Sequence, residues 1–191
     1  MSKYHFDVEG HTIPKQIAVV DVDETLWQFY DAVYETGKNL GFKLPPRCEC
    51  NEWNAPFKYD TKENVIKVFN DVHSRQSEYR PYVKSRSLLK FLRTKYYVII
   101  ASHRLDIYKD ELVKWLDKNK LECDEVMVSM DKTSLFNNPN VALVIDDRAD
   151  TLIAAHNHGK IGIGLRKPWN EKFIDGKNLF NTLHDIEVFL K

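Results

Sequence analysis

IAVVDVDETLW, residues 17–27, runs an apolar stretch straight into a crowd of acids. Ile17 to Val20 read as a buried strand, and Asp21, Asp23 and Glu24 follow at once, then Thr25, Leu26 and Trp27. Unpaired carboxylates repel each other and resist desolvation. A cation or a phosphate-handling site at the strand tip would account for them. In extended backbone Asp21 and Asp23 project to the same side, so both can face such a site.

Four more β-rich runs follow along the chain, at 96–102, 124–129, 141–146 and 161–165. Most are continuously apolar rather than alternating, the pattern of strands buried on both faces of a parallel sheet. Helical spacing lies between them. Leu88, Leu89 and Leu92 share a face, as do Leu112, Trp115 and Leu116, and a third segment carries Leu152, Ile153 and Ala155 before a C-capping Gly159. This alternation predicts an α/β fold, a Rossmann-like parallel sheet with helices on both faces, whose ligands bind beyond the carboxyl ends of the strands.

Each predicted strand end carries polar chemistry. The first ends in Asp21-Val22-Asp23-Glu24-Thr25, the second in Ser102-His103-Arg104, the third in Asp131-Lys132, and the fourth in Asp146-Asp147-Arg148. Parallel strands would gather all four groups at one sheet edge. A hard cation such as Mg²⁺ takes oxygen ligands from such a cluster, with carboxylates from Asp21 and Asp146 and a main-chain carbonyl near Asp23. A carboxylate there can also attack phosphorus and form an acyl phosphate. Ser102 and Lys132 would hold the phosphoryl oxygens. Singly, each aspartate reads as a turn former; four acidic or polar strand ends together read as a site.

About 70 residues separate Trp27 from Tyr96, far more than a connection needs. Two helical patterns and a Pro- and Trp-containing loop fill the interval. The expected division is a core of 1–27 and 96–191 with a small helical cap, 28–95, inserted after the first strand. The cap carries Phe29, Tyr30, Trp53, Phe57 and Tyr59. Trp27, Phe29 and Tyr30 read as part core and part site rim, where a flat base could stack. His156 and His158 suit a helix C-terminus better than catalysis.

Composition sets the outer limits. In 191 residues, 28 Lys plus Arg balance 28 Asp plus Glu, so net charge points to neither nucleic acid nor membrane. No run approaches a membrane span, and no secretory signal opens the chain. The cysteines, Cys48, Cys50 and Cys123, are odd in number and lack paired metal-ligand spacing, which points to free thiols in a reducing, cytoplasmic setting.

The four motifs resemble those of the haloacid dehalogenase superfamily of phosphohydrolases: Asp21-x-Asp23-x-Thr25, Ser102, Lys132 and Asp146-Asp147, in order over residues 17–151. The DKTSLF, VIDDRADTLIAAHNHG, KPWN and NEWNAP segments are similar to the 5'(3')-deoxyribonucleotidase branch. Glu24-Thr25 stands where that branch carries Gly-Val, and Ala101 where it often has threonine. DVDETLWQF also resembles the opening of the magnesium-dependent phosphatase subgroup. The resemblance implies Mg²⁺ and a small phosphate ester, with a nucleoside monophosphate as substrate. It makes Asp21 the nucleophile and Asp23 the general acid and base, oriented by Thr25. Ser102 and Lys132 bind the phosphoryl group, and Asp21, Asp23, Asp146 and Asp147 form the metal site. His103, Trp27, Phe29 and Tyr30 fall near the substrate. The shared field of close carboxylates is expected to raise the pKa of Asp23. The alternatives are another phosphate ester, a phosphoprotein or a nucleic-acid phosphate end, and, outside enzymes, a phosphate-binding scaffold.

Overall fold

A computed structural model describes residues 4–6, 12–171 and 178–191. A short antiparallel hairpin, β1 (Tyr4–Phe6) and β2 (Thr12–Pro14), precedes the sheet. The run that opens the acid cluster forms β3 (Ile17–Val20). Helices α1 (Phe29–Asn39), α2 (Lys62–Ser74) and α3 (Ser85–Lys95) follow, with 3-10 turns at Arg47–Glu49, Ala55–Lys58 and Gln76–Glu78. Then come β4 (Tyr97–Ser102), α4 (Lys109–Lys118), β5 (Glu125–Val128), β6 (Val141–Ile145), α5 (Ala149–Asn157), β7 (Ile161–Leu165), β8 (Leu179–Phe180) and α6 (Leu183–Phe189).

All five strands read from the sequence are present, and together with β8 they form a six-stranded parallel sheet in the order β5-β4-β3-β6-β7-β8. The chain winds outward from β3 to β5, then returns to lay β6 on the other side of β3. That reversal makes the β3/β6 boundary the switch point, where the crevice of such a sheet opens. The ladder runs right up to the acids: Asp21 N–H donates to Ile145 O (2.8 Å) and Asp146 N–H to Ile163 O (3.1 Å).

Alternation decides what each face buries. Ala18 and Val20 join a large core with Leu88, Leu89, Leu92, Leu112, Trp115 and Ile186, while Val19 joins a smaller one with Ala101, Val144, Phe136 and Ala155. Helices α3, α4 and α6 thus share the first face, and α5 with the 3-10 turn Thr133–Asn137 covers the second. Gly164 is required by close approach: a Cβ there would lie 2.0 Å from the carbonyl oxygen of Asp146, so no larger residue fits behind the acidic strand tip.

The 28–95 interval is not uniform. Helices α1 and α2 pack on each other, whereas α3 packs against β4 and α6. Its three leucines are fully buried in the sheet-side core, so α3 is a layer of the core. Gly159 has φ +69°, as a helix C-terminus of this kind needs. No helix of the described residues is long and apolar enough to cross a membrane.

Candidate active site

Asp21, Asp146 and Asp147 converge at the switch point, each offering a carboxylate oxygen within 4.8 Å of the others, and all three are buried. Lys132 Nζ is the counter-charge in place: it donates to Asp21 Oδ1 (2.5 Å) and Asp146 Oδ2 (2.6 Å). Its own pKa is raised, because those carboxylates outweigh the burial that would lower it. One ammonium among three carboxylates leaves the set short of positive charge. A small divalent cation with oxygen ligands fits that donor set.

The KPWN segment braces the cluster. Trp169 Nε1 donates to Asp147 Oδ2 (2.9 Å), and Asn170 Nδ2 donates to Asp147 O (3.0 Å) and Leu165 O (2.8 Å). Lys167 donates to Glu24 Oε2 (2.7 Å) deep in the protein. Glu24 sits at φ +58°, a left-handed conformation that favours glycine. Its carboxylate offsets that strain by accepting from Tyr30 N–H (2.8 Å), the Tyr82 hydroxyl (3.2 Å) and Lys167.

Asp23 is held differently from the sequence-based expectation. Thr25 does not orient it: Thr25 Oγ1 is buried without a hydrogen-bond partner. Trp27 Nε1 donates to Asp23 Oδ1 (2.9 Å), His73 Nε2 lies 3.0 Å from Oδ2, and Arg104 donates to both oxygens (3.0 and 3.2 Å). Burial alone would raise the pKa of Asp23, but Arg104 and His73 overcome it and hold the carboxyl well below the usual range. The expected direction is therefore inverted in this state. Asp21 takes the raised value, pushed up to about 7 by burial against the opposing charge of Lys132, with Asp146 and Asp23 adding to the rise. Asp147 is raised too, chiefly by burial.

These shifts have a sign that stability can report. Asp21 ionises at 3.8 ordinarily and about 7 here, so between those values the folded protein keeps a proton that the unfolded chain has lost. Stability from this group then falls as pH rises through that window and is fully lost above it. Asp23 works in the opposite sense, losing its contribution only as pH drops below the ordinary carboxylate range. In metal-free protein Asp21 and Asp147 are expected to lower the melting temperature from about pH 5 to about pH 8, with His73 and His103, whose pKa values burial lowers, acting in the opposite sense. Added Mg²⁺ is expected to raise it more at the higher pH, where the carboxylates are free to bind. Thermal unfolding at the two pH values with and without Mg²⁺ checks this. An equal Mg²⁺ effect at both would contradict it.

A cavity of about 50 Å³ lies over the acids, lined by Asp21, Asp23, Lys132, Asp147, His103 and the insertion residues Phe29, Tyr30, Phe69 and His73. The pKa of His103 is lowered by burial and by the Arg148 and Lys132 charges. Trp27 is not on the rim: it is 1% exposed and packs among Tyr79, Phe29 and Trp115 beneath Asp23. Ser102 is fully buried and turned toward Asp23 and Arg104, accepting from Arg104 Nε (2.8 Å). Asp131 is exposed and turns the chain into the next segment, accepting from Thr133 N–H (2.8 Å).

A wider groove of about 510 Å³ adjoins the cavity, with Trp53, Asn54, Arg148, Asp150, Ile153 and Trp169 on its walls. The Arg148 guanidinium lies 4.1 Å from the Trp53 ring centroid and is paired with Asp150, and both Trp53 and Arg148 line the two spaces. The Tyr30 hydroxyl donates to Trp53 O and pins this loop.

The sequence reading singled out neither His73 nor Arg104. Arg104 had a signal, since it stands two residues past Ser102 in SHR; His73 is fifty positions from its partner and had none.

No protein-family model and no curated protein matches the sequence. Solved structures do match the fold. A haloacid dehalogenase-like family hydrolase from Streptococcus pneumoniae superposes with a TM-score of 0.68 at 14% identity, covering 93% of this chain and 99% of that one. A predicted phosphoglycolate phosphatase from Haemophilus somnus gives 0.65 at 13%, covering 93% and 98%. A HAD-hydrolase from Bacillus subtilis, bound to magnesium and described as revealing interdomain movement, gives 0.64 at 15%, covering 93% and 99%. The fold is that of haloacid dehalogenase-like hydrolases.

Proposed function

We propose that the protein is a Mg²⁺-dependent phosphomonoesterase working through a phosphoaspartate on Asp21, with nucleoside monophosphates as substrates. The observation that carries the reaction class is the convergence of Asp21, Asp146 and Asp147 around Lys132 at the switch point. Asp21, Asp146 and Asp147 would hold the cation by their carboxylates, and Asp23 by its main-chain carbonyl. The bound Mg²⁺ would neutralise phosphoryl charge and fix the ester near Asp21. Asp21 Oδ attacks phosphorus as the P–O bond to the leaving group breaks. Asp23 is held ionised in this state by Arg104 and His73; the negative charge of the arriving ester would raise its pKa, so that it takes up a proton, gives it to that oxygen, and then takes one from the water that releases phosphate and regenerates Asp21. Lys132 steadies the developing charge, and Ser102 turns toward the phosphoryl group when the ester binds.

Residues 28 to about 84 serve as the cap. A 50 Å³ cavity is far below the several hundred Å³ of a ligand pocket, so the ester enters by displacement of this roof. The interdomain movement described for the magnesium-bound B. subtilis hydrolase supports such a step. The leaving group would occupy the groove beside Trp53. Among the described residues the groove's lining cation is Arg148, and it already pairs with Asp150, which favours a neutral leaving group there. A neutral ring suits the indole and Ile153 walls better. The odd thiol count supports a cytoplasmic setting.

Trp53→Ala is expected to lower kcat/KM for nucleoside monophosphates by about ten- to a hundredfold while sparing a small aryl phosphate. A panel of nucleotides, sugar phosphates and phosphoglycolate tests the substrate class. If both substrates fall equally in Trp53→Ala, the tryptophan is structural and the ring-bearing substrate loses its support.

A further inference from the structure

We propose that Arg104 is a positioning residue through which the seated cap sets the orientation of Asp23. This rests on the reading of Asp23 as general acid. Arg104 is wholly buried and every edge of its guanidinium is engaged. Nε donates to Ser102 Oγ (2.8 Å), one terminal nitrogen to both oxygens of Asp23 (3.0 and 3.2 Å), and the other to Gln76 Oε1. A planar guanidinium fixed on one side constrains what it holds on the other, which a point-charged lysine would not do.

The two ends of this network lie on different parts of the fold. Asp23, Ser102 and Arg104 belong to the tips of β3 and β4, whereas Gln76 belongs to the insertion, in the turn after α2. His73, near the end of α2, reaches the same carboxylate from the cap side and stacks on Phe29 with centroids 4.9 Å apart. Gln76 is fully buried, yet its Nε2 has no partner. A buried donor left unpaired costs stability, and the amide keeps this orientation because its other face must offer oxygen, not N–H, to the guanidinium. The contact is therefore specific to Arg104. Opening the roof for substrate withdraws Gln76 and His73 together; closing it returns Arg104, and with it Asp23, to one geometry.

The test compares phenyl phosphate with p-nitrophenyl phosphate, which are close in shape but differ in how much the leaving oxygen needs a proton. Asp23→Asn serves as control. Arg104→Lys and Gln76→Leu are each expected to lower kcat/KM on phenyl phosphate by about tenfold or more, with less than about threefold change in kcat/KM on p-nitrophenyl phosphate, because kcat/KM reports the transfer step and not the later hydrolysis that both esters share. The double variant is expected to lose less than the product of the two, because both break one connection. Gln76→Leu does not touch Asp23, so it keeps the test open should Arg104→Lys fold poorly. Hydrogen exchange adds a measurement independent of turnover: amides of α2 are expected to exchange at least several-fold faster in Gln76→Leu, and unchanged exchange would overturn the latch. If Asp23→Asn splits the two esters but the Arg104 and Gln76 variants slow both equally, the inference is overturned and the general acid stands. If Asp23→Asn shows no split, the general-acid reading fails and the inference goes with it.

Discussion

Asp21→Asn is expected to lower phosphate-ester turnover by about 10³-fold or more while leaving a folded protein. An amide cannot carry the acyl phosphate, so the loss falls on kcat. The fold survives because an asparagine oxygen can still accept from Lys132, and because the change removes one of three converging buried carboxylates. Metal-free Asp21→Asn is therefore expected to melt at the same temperature as the parent or higher, the usual relation between an active-site charge cluster and stability. Its Mg²⁺-induced stabilisation should shrink, since one ligand is gone. Activity and melting curves on the same preparation check both halves. Near-parental turnover, with reversion and deamidation excluded, would remove Asp21 from its role.

The second large effect is expected at Lys132. Lys132→Met takes away the one ammonium that bridges Asp21 and Asp146 and leaves both carboxylates buried without it. Breaking a buried pair in this way costs roughly 3–5 kcal/mol. The loss is expected to be larger at high pH, where Asp21 and Asp147 are ionised, and smaller at low pH, where their raised pKa values let them take protons. Mg²⁺ should restore part of the stability by supplying positive charge, but not the activity, because phosphoryl charge loses a donor. Thermal unfolding across pH, with and without Mg²⁺, reads the first part and turnover the second. A pH-independent loss would mean that Lys132 only fills space.

The sheet was legible because burial on both faces writes a continuous apolar run, and the shortness and β-branched residues of runs such as VALVI decide for strand over buried helix. β8 was not, because two residues, Leu179 and Phe180, carry no periodicity. α6 had a readable start in the Thr182–Asp185 capping box, but its seven residues are short for a helical pattern. The acids at the switch point were legible because parallel strands bring their carboxyl ends to one edge whatever the loops do. What surrounds Asp23 was not. His73 reaches it directly from the insertion and Gln76 only through Arg104, and only tertiary packing brings α2 over the strand tips. The resemblance pointed to Thr25 beside Asp23, whereas the hydrogen bonds to that carboxylate come from Trp27 nearby and from His73 and Arg104 far along the chain. Trp27 read as part core and part rim; its ring fills the core, and its indole N–H turns in to Asp23.

The covalent step on Asp21 is the centre of this account, and trapping it is the most direct measurement. The protein, loaded with Mg²⁺ and mixed with p-nitrophenyl phosphate, is quenched during turnover into borohydride, which reduces an aspartyl phosphate to homoserine. The peptide containing residue 21 is then read by mass spectrometry. The account predicts homoserine at position 21 alone, dependent on both substrate and Mg²⁺ and absent from Asp21→Asn. Rapid turnover with unmodified Asp21, or with the reduction at another aspartate, would contradict it.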